Sequence, residues 1–200
     1  MKDVRRSFSA KHTGVGTEGP EVAQSVKIDL TRHIASTLDD LQEEVRYSFE
    51  KEFGPCEEWT PIPVYSKLTR IVALLSGRVF VGRPLSREEE WIQATIMFTF
   101  YCVQARAAIN AYPEWARGIA GYFLPEVKRL WEFKKRGAQL LQPIVHAQIA
   151  KEGTEKLHRD DSEDDQGNFI SWLLKHTNEN QRWDPLVLAN NQMGCECSAQ

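Results

Sequence analysis

The side chains of this 200-residue chain that could do chemistry are few and scattered. Its five histidines, His12, His33, His146, His158 and His176, form no H-x-x-x-H or H-E-x-x-H pair. Adjacent helical turns therefore cannot supply a zinc ligand set or a metal-bound general base. The four cysteines are Cys56, Cys102, Cys195 and Cys197, and the last two make a lone C-x-C. Structural zinc wants four ligands, so no metal site is expected there. The acidic run Asp160, Asp161, Glu163, Asp164 and Asp165 lacks the alternating ligands and central glycine of a calcium loop. No serine lies in G-x-S-x-G. Gly14 to Gly19 has the spacing of G-x-G-x-x-G but neither the strand before it nor the helix after it that a phosphate cradle needs. No catalytic or cofactor-binding residue follows from these patterns. The densest basic cluster, Lys134-Lys135-Arg136 with Lys128 and Arg129 upstream, reads as a solvated helix face. An aromatic row remains, Trp91, Phe98, Phe100 and Tyr101, which could line an apolar ligand channel or serve as plain core.

Bulk composition narrows the classes. Acidic residues number 28 and basic residues 25, a formal net charge of -3, which offers no electrostatic footprint for nucleic acid or anionic membranes. Hydrophobic residues at 42% and charged residues at 26% are ordinary for one globular domain. Residues 1–19 are basic and polar without the apolar stretch of a secretory signal. No run approaches the roughly 20 apolar residues of a membrane span. Free thiols in a reducing, cytoplasmic setting are expected.

The elements that must position these residues read as helices. Residues 1–28 are expected as a flexible leader. Ile34, Leu38, Leu41, Val45, Phe49 and Phe53 form one helical stripe, with Asp39, Asp40, Glu43, Glu44 and Arg46 on the wet faces and Gly54-Pro55 as the stop. A second helix follows Pro61-Ile62-Pro63 and runs to the β-branched end Val79 to Val81, where a short strand competes. Gly82-Arg83-Pro84 closes it. Ser86 and Glu89 have the spacing of a capping box for a third helix over about 86–112. Gly118, Gly121 and Pro125 predict a turn-rich connection. A fourth helix covers about 126–151, with Pro143 expected to kink or divide it. A polar linker then leads to a short apolar helix, Phe169 to Leu174, and Asp184-Pro185 begins another. The fold class is all-α.

Two blocks carry a family resemblance. Trp59-Thr60-Pro61-Ile62-Pro63-Val64, then Arg70 to Arg87 with Arg78-Val79-Phe80-Val81-Gly82 at its centre, resembles the mid-region of fungal cytochrome P-450 monooxygenases of the secondary-metabolite and terpenoid type. Asn168 to Leu174 resembles that family's short helix after an acidic loop. Asp184 to Met193 resembles the entry into its long central helix. The resemblance implies a partial array of the family's middle helices over 29–193, ending in a divergent tail, 194–200. The third and fourth helices would be the pair that lids the substrate channel, with Trp91, Phe98 and Tyr101 as substrate-channel candidates. It further implies haem, a reductase partner and an endoplasmic-reticulum anchor in full-length members. The haem-ligating cysteine loop and the oxygen-activating turn have no counterpart in these 200 residues. The chain is therefore expected to be a truncated product, inactive alone. The competing expectations are a non-enzymatic helical interaction module and a ligand-binding helical bundle.

Overall fold

The computed structural model describes residues 12–13, 20–55, 58–155 and 169–176. All of its regular structure is helical. Helix α1 (Pro20–Gln24) runs into a π-helical turn (Ser25–Leu30). It is followed by α2 (Ile34–Phe53), α3 (Val64–Phe80), a 3-10 turn (Leu85–Arg87), α4 (Glu89–Asn110), α5 (Glu114–Phe123), α6 (Pro125–Glu155) and α7 (Phe169–His176). No strand forms among the described residues, so the all-α expectation holds. The helix expected from Asp184-Pro185, the acidic run, His158, Cys195 and Cys197 lie outside the described residues, as does Cys56.

The core is the seam between α4 and α6, which pack antiparallel. Trp91, Phe98, Cys102, Ala105 and Ile109 recur on one face of α4 and meet Val127, Leu130, Ala138, Leu141 and Val145 of α6. Helix α7 adds Phe169, Ile170, Leu173 and Leu174, all buried, and Phe169 takes the edge of Phe80 from α3 at 4.9 Å between ring centroids. Each such fully buried apolar side chain is worth about 1.5–3 kcal/mol, so α7 is held by its apolar surface despite its 8 residues. A polar clasp joins it to the π-helical turn. The His176 ring N–H donates to the buried Asp29 carboxylate at 2.5 Å, and the His33 ring stacks on Trp172.

Helix α3 ends as its composition predicts, without the competing strand. The Val81 and Gly82 amides both donate to the Gly77 carbonyl at 2.9 and 3.0 Å, and Gly82 takes φ +71°, a conformation that a side chain disfavours. Gly77 itself admits a close neighbour: a β-carbon there would stand 3.3 Å from both the Ser86 β-carbon and the Trp91 indole nitrogen. Small size at Gly77 is what lets the 3-10 turn and the start of α4 lie against α3.

Four sequence expectations need correction. Ser86 does not cap α4. It sits buried in the 3-10 turn, and α4 starts at Glu89 after an extended Glu88, with no side-chain cap. The expected turn-rich connection is instead helical through Gly118 and Gly121, within α5, and the chain breaks only at the extended Leu124 before Pro125. Gly121 is buried against the imidazole of His12, where a side chain has no room. Pro143 does not divide α6. It is exposed, and the carbonyl four residues back can turn to water there. The apolar stripe of α2 is likewise not its buried face, although Asp39, Asp40, Glu43 and Arg46 are exposed as expected. Ile34, Leu38, Val45 and Phe49 are exposed, whereas Glu44, Ser48 and Glu52 are buried. The reason is ionic: Glu44 is drawn inward by Arg83 and Arg87, and Glu52 by Arg70.

The expected leader contains packed residues as well. His12 and Thr13 are buried, and Val22 joins the core from α1.

Candidate functional site

Helix α4 presents two apolar faces. Residues spaced by 7 share a face of an α-helix, so Trp91 and Phe98 point together into the seam with α6, and both are fully buried. The Trp91 indole N–H and the Ser86 hydroxyl are enclosed without a protein hydrogen-bond partner, on the side where Gly77 approaches. Opposite them, Met97, Phe100 and Val103 are 40, 51 and 65% exposed. Tyr101 lies between the two faces. Its ring stacks on Phe133 of α6 at 5.5 Å and 14°, Phe100 meets it edge-on at 5.5 Å, and its hydroxyl accepts from the Arg129 guanidinium at 3.1 Å. That hydrogen bond raises the Arg129 pKa.

The three channel candidates are thus near one another but differently placed. Trp91 and Phe98 form the wall behind the helix surface, and Tyr101 is the one that reaches it. Met97 and Val103 were missed as members of the open apolar face. The signal was available, because a helix apolar on both sides exceeds what one buried face needs.

A second concave region lies where α5 turns into α6. His12, Gly121, Tyr122, Val127 and Trp131 line a cavity of about 490 Å³, together with the charged Lys128 and Glu132. The basic cluster nearby is not uniformly solvated: Lys134 is buried, its ammonium 4.8 Å from the centre of the Trp131 ring, while Arg136 pairs with Glu90 at 3.1 Å.

Charge is organised elsewhere, between α2, α3 and the 3-10 turn. Arg87 grips both oxygens of Glu44, and its guanidinium lies 3.6 Å from the centre of the Tyr47 ring. Arg83 bridges Glu43 and Glu44, and its hydrogen bond holds the Glu43 carboxyl below the usual range. Arg70 donates to Glu52 and, with two nitrogens, to Glu89, whose pKa falls to about 2. Each acid here is matched by a guanidinium already engaged, an arrangement that fastens helices together and has no free base to offer a substrate.

Haem ligation can be tested against the one cysteine among the described residues. Cys102 lies within α4, buried on the face that packs against α6. A porphyrin cannot reach its sulfur without parting the two helices, so Cys102 does not fit the role of a haem ligand. Among the described residues no three His, Cys, Asp or Glu side chains cluster as metal ligands, and no helix is long and apolar enough to cross a membrane.

Comparison with known proteins finds similar sequences among fungal cytochrome P450 monooxygenases. The chain is 55% identical over 193 residues to cytochrome P450 monooxygenase ascG of Acremonium egyptiacum, covering 96% of this chain and 36% of that protein. It is 35% identical to cytochrome P450 monooxygenase 3 of Gibberella fujikuroi, covering 88% of this chain and 33% of the relative. Identity to cytochrome P450 monooxygenase BOA7 of Botryotinia fuckeliana is 38%, covering 89% and 34%. The chain spans about a third of the length of these curated relatives. No family model and no solved structure matches it.

Proposed function

We propose that this chain, a sequence relative of fungal cytochrome P450 monooxygenases over nearly its whole length, is the lid-bearing helical part of such an enzyme from a secondary-metabolite pathway of the terpenoid type. The 55% identity across 96% of the chain carries this reading, and the all-helical fold agrees with it. In it, α4 and α6 are the lid pair over an apolar substrate. Tyr101 takes the channel-facing position, and Trp91 and Phe98 form the packed wall that holds it. The exposed Met97 and Phe100 beside Tyr101 support an apolar rather than a charged substrate.

Haem belongs to the full-length relatives, where a cysteine thiolate would hold the iron and supply the electron push that oxygen activation requires. Among the described residues Cys102 does not offer that ligand and the sequence holds no cysteine loop of the family's pattern, which supports inactivity of these 200 residues taken alone. A reductase partner and attachment to the endoplasmic reticulum belong to the full-length enzyme in the same way.

The test has two arms. Purified chain is mixed with haem, reduced and exposed to carbon monoxide. No red-shifted band of thiolate-ligated haem is expected, and a band lost on replacing a single cysteine would overturn the inactivity. The transcript on either side of these codons is then sequenced. An open frame encoding a central helix and a cysteine loop supports the monooxygenase reading. Absence of both favours the alternative, a non-enzymatic interaction module, for which the outward apolar stripe of α2 is the supporting observation.

A further inference from the structure

Among the described residues, the hydrogen-bond and ring partners of His12 all lie more than a hundred positions away in sequence. Its ring N–H donates to the Gly118 carbonyl at 3.2 Å, its edge meets the Tyr122 ring at 4.8 Å, and its own carbonyl accepts the Trp131 indole N–H at 2.9 Å. Gly118 and Tyr122 belong to α5 and Trp131 to α6, so one residue ties the two helices across their junction. The seat depends on a missing side chain, because a β-carbon at Gly121 would overlap the imidazole ring. His12 is 4% exposed and Thr13 is 3% exposed, so both are built into the packing. The ring also forms part of the wall of the cavity of about 490 Å³ lined by residues of α5 and α6.

We propose that His12 is a plug in the joint between α5 and α6: seated on Gly121 it locks α5 in place, and its withdrawal frees α5 and opens the adjoining cavity. Glycine within a helix ordinarily costs stability, by about 1 kcal/mol relative to alanine. Its presence at 121 is explained if the plug needs the space. Four hydrogen bonds or ring contacts, counting the Lys134 ammonium over Trp131, then respond together to whether the ring is seated. The device couples a segment far upstream to the short connection between the two long core helices. It does not depend on the monooxygenase reading.

The experiment compares four full-length chains: the parent, Gly121→Ala, His12→Ala and the double variant. Amide hydrogen exchange is followed across 114–123, and the fluorine resonance of 5-fluorotryptophan at Trp131 is assigned with Trp131→Phe. In the parent background, Gly121→Ala is expected to speed exchange in α5 about tenfold by expelling the ring. In the His12→Ala background the same alanine should slow exchange or leave it unchanged, as helix propensity dictates. Both single variants should move the Trp131 resonance. Should Gly121→Ala unfold the whole chain, recovery in the double variant supports the plug and failure to recover overturns it. Equal effects of alanine in the two backgrounds, or a Trp131 resonance indifferent to His12→Ala, also overturn it.

Discussion

Arg87 holds both carboxylate oxygens of Glu44, with nitrogen–oxygen distances of 3.0 and 2.9 Å, and the Glu44 side chain is fully buried. The pair fastens α2 to the turn that precedes α4. A buried carboxylate stripped of its partner is far costlier than an apolar residue in its place. Arg87→Ala leaves Glu44 with Arg83 alone, at 3.3 Å, and should destabilise the chain by about 3 kcal/mol. Replacing both Glu44 and Arg87 by methionine should recover most of that loss. Urea unfolding followed by helical circular dichroism measures both. A loss under 1 kcal/mol in the single variant would show the pair to be ornamental.

Glu89 gives the fold an acid-sensitive contact. The bidentate hydrogen bond from Arg70 is the main cause of its pKa of about 2, with Gln93 adding to it. A carboxyl depressed in the folded state stabilises the fold above the unfolded glutamate pKa, about 4.3, and ceases to do so as pH falls towards 2. Because the Glu89 side chain is 49% exposed, solvent screening limits the effect to about 1 kcal/mol or less. Stability should decline less between pH 5 and pH 2 in Glu89→Gln than in the parent. Identical acid limbs would remove Glu89 from the account.

The boundaries of these helices were more legible in the sequence than their surroundings. Ile34–Phe53 follows from the apolar period and the Gly54-Pro55 stop, and Val64–Phe80 from Pro63 and Gly82. The orientation of α2 did not follow, because periodicity identifies an apolar face without revealing whether anything covers it. Here long-range ion pairs from Arg70, Arg83 and Arg87 draw Glu44 and Glu52 inward, and those partners lie 18 to 43 residues away. Helix α5 was hidden for a related reason. Gly118 and Gly121 read locally as breakers, but the need at Gly121 is set by His12, 109 positions upstream. The aromatic row does lie on one helix, α4, as its spacing predicts. Spacing alone could not tell Phe98, in the seam, from Phe100, on the open face.

Gly77 should tolerate little. A β-carbon there makes tight contacts with Ser86 and Trp91, and the branched side chain of valine adds two methyls in the same space. Gly77→Val should push the 3-10 turn off α3 and cost about 1–3 kcal/mol, as overpacking does. Alanine should cost less, since a shift of a few tenths of an ångström admits one methyl. Thermal unfolding of the two variants beside the parent orders them. Valine equal to the parent would mean that the turn is not held against α3.

The apolar stripe of α2 governs how the isolated chain behaves. Ile34, Leu38, Val45 and Phe49 are 62, 52, 38 and 46% exposed, and Val64, Tyr65 and Leu68 of α3 are exposed as well. Apolar surface left in water forgoes about 25 cal/mol per Å² of stabilisation, and contiguous patches of it promote association. Helices so partnered on one side only do not bury enough to offset chain entropy comfortably. Heating should therefore give a broad, weakly cooperative transition, and the purified chain should bind anilinonaphthalene sulfonate and associate as its concentration rises. Leu38→Lys with Phe49→Lys should lower dye binding several-fold and shift light scattering towards monomer, with circular dichroism unchanged, because neither side chain supports the α4–α6 seam. A sharp two-state melt in the parent, indifferent to both lysines, would mark the chain as a self-contained domain and the stripe as ordinary surface.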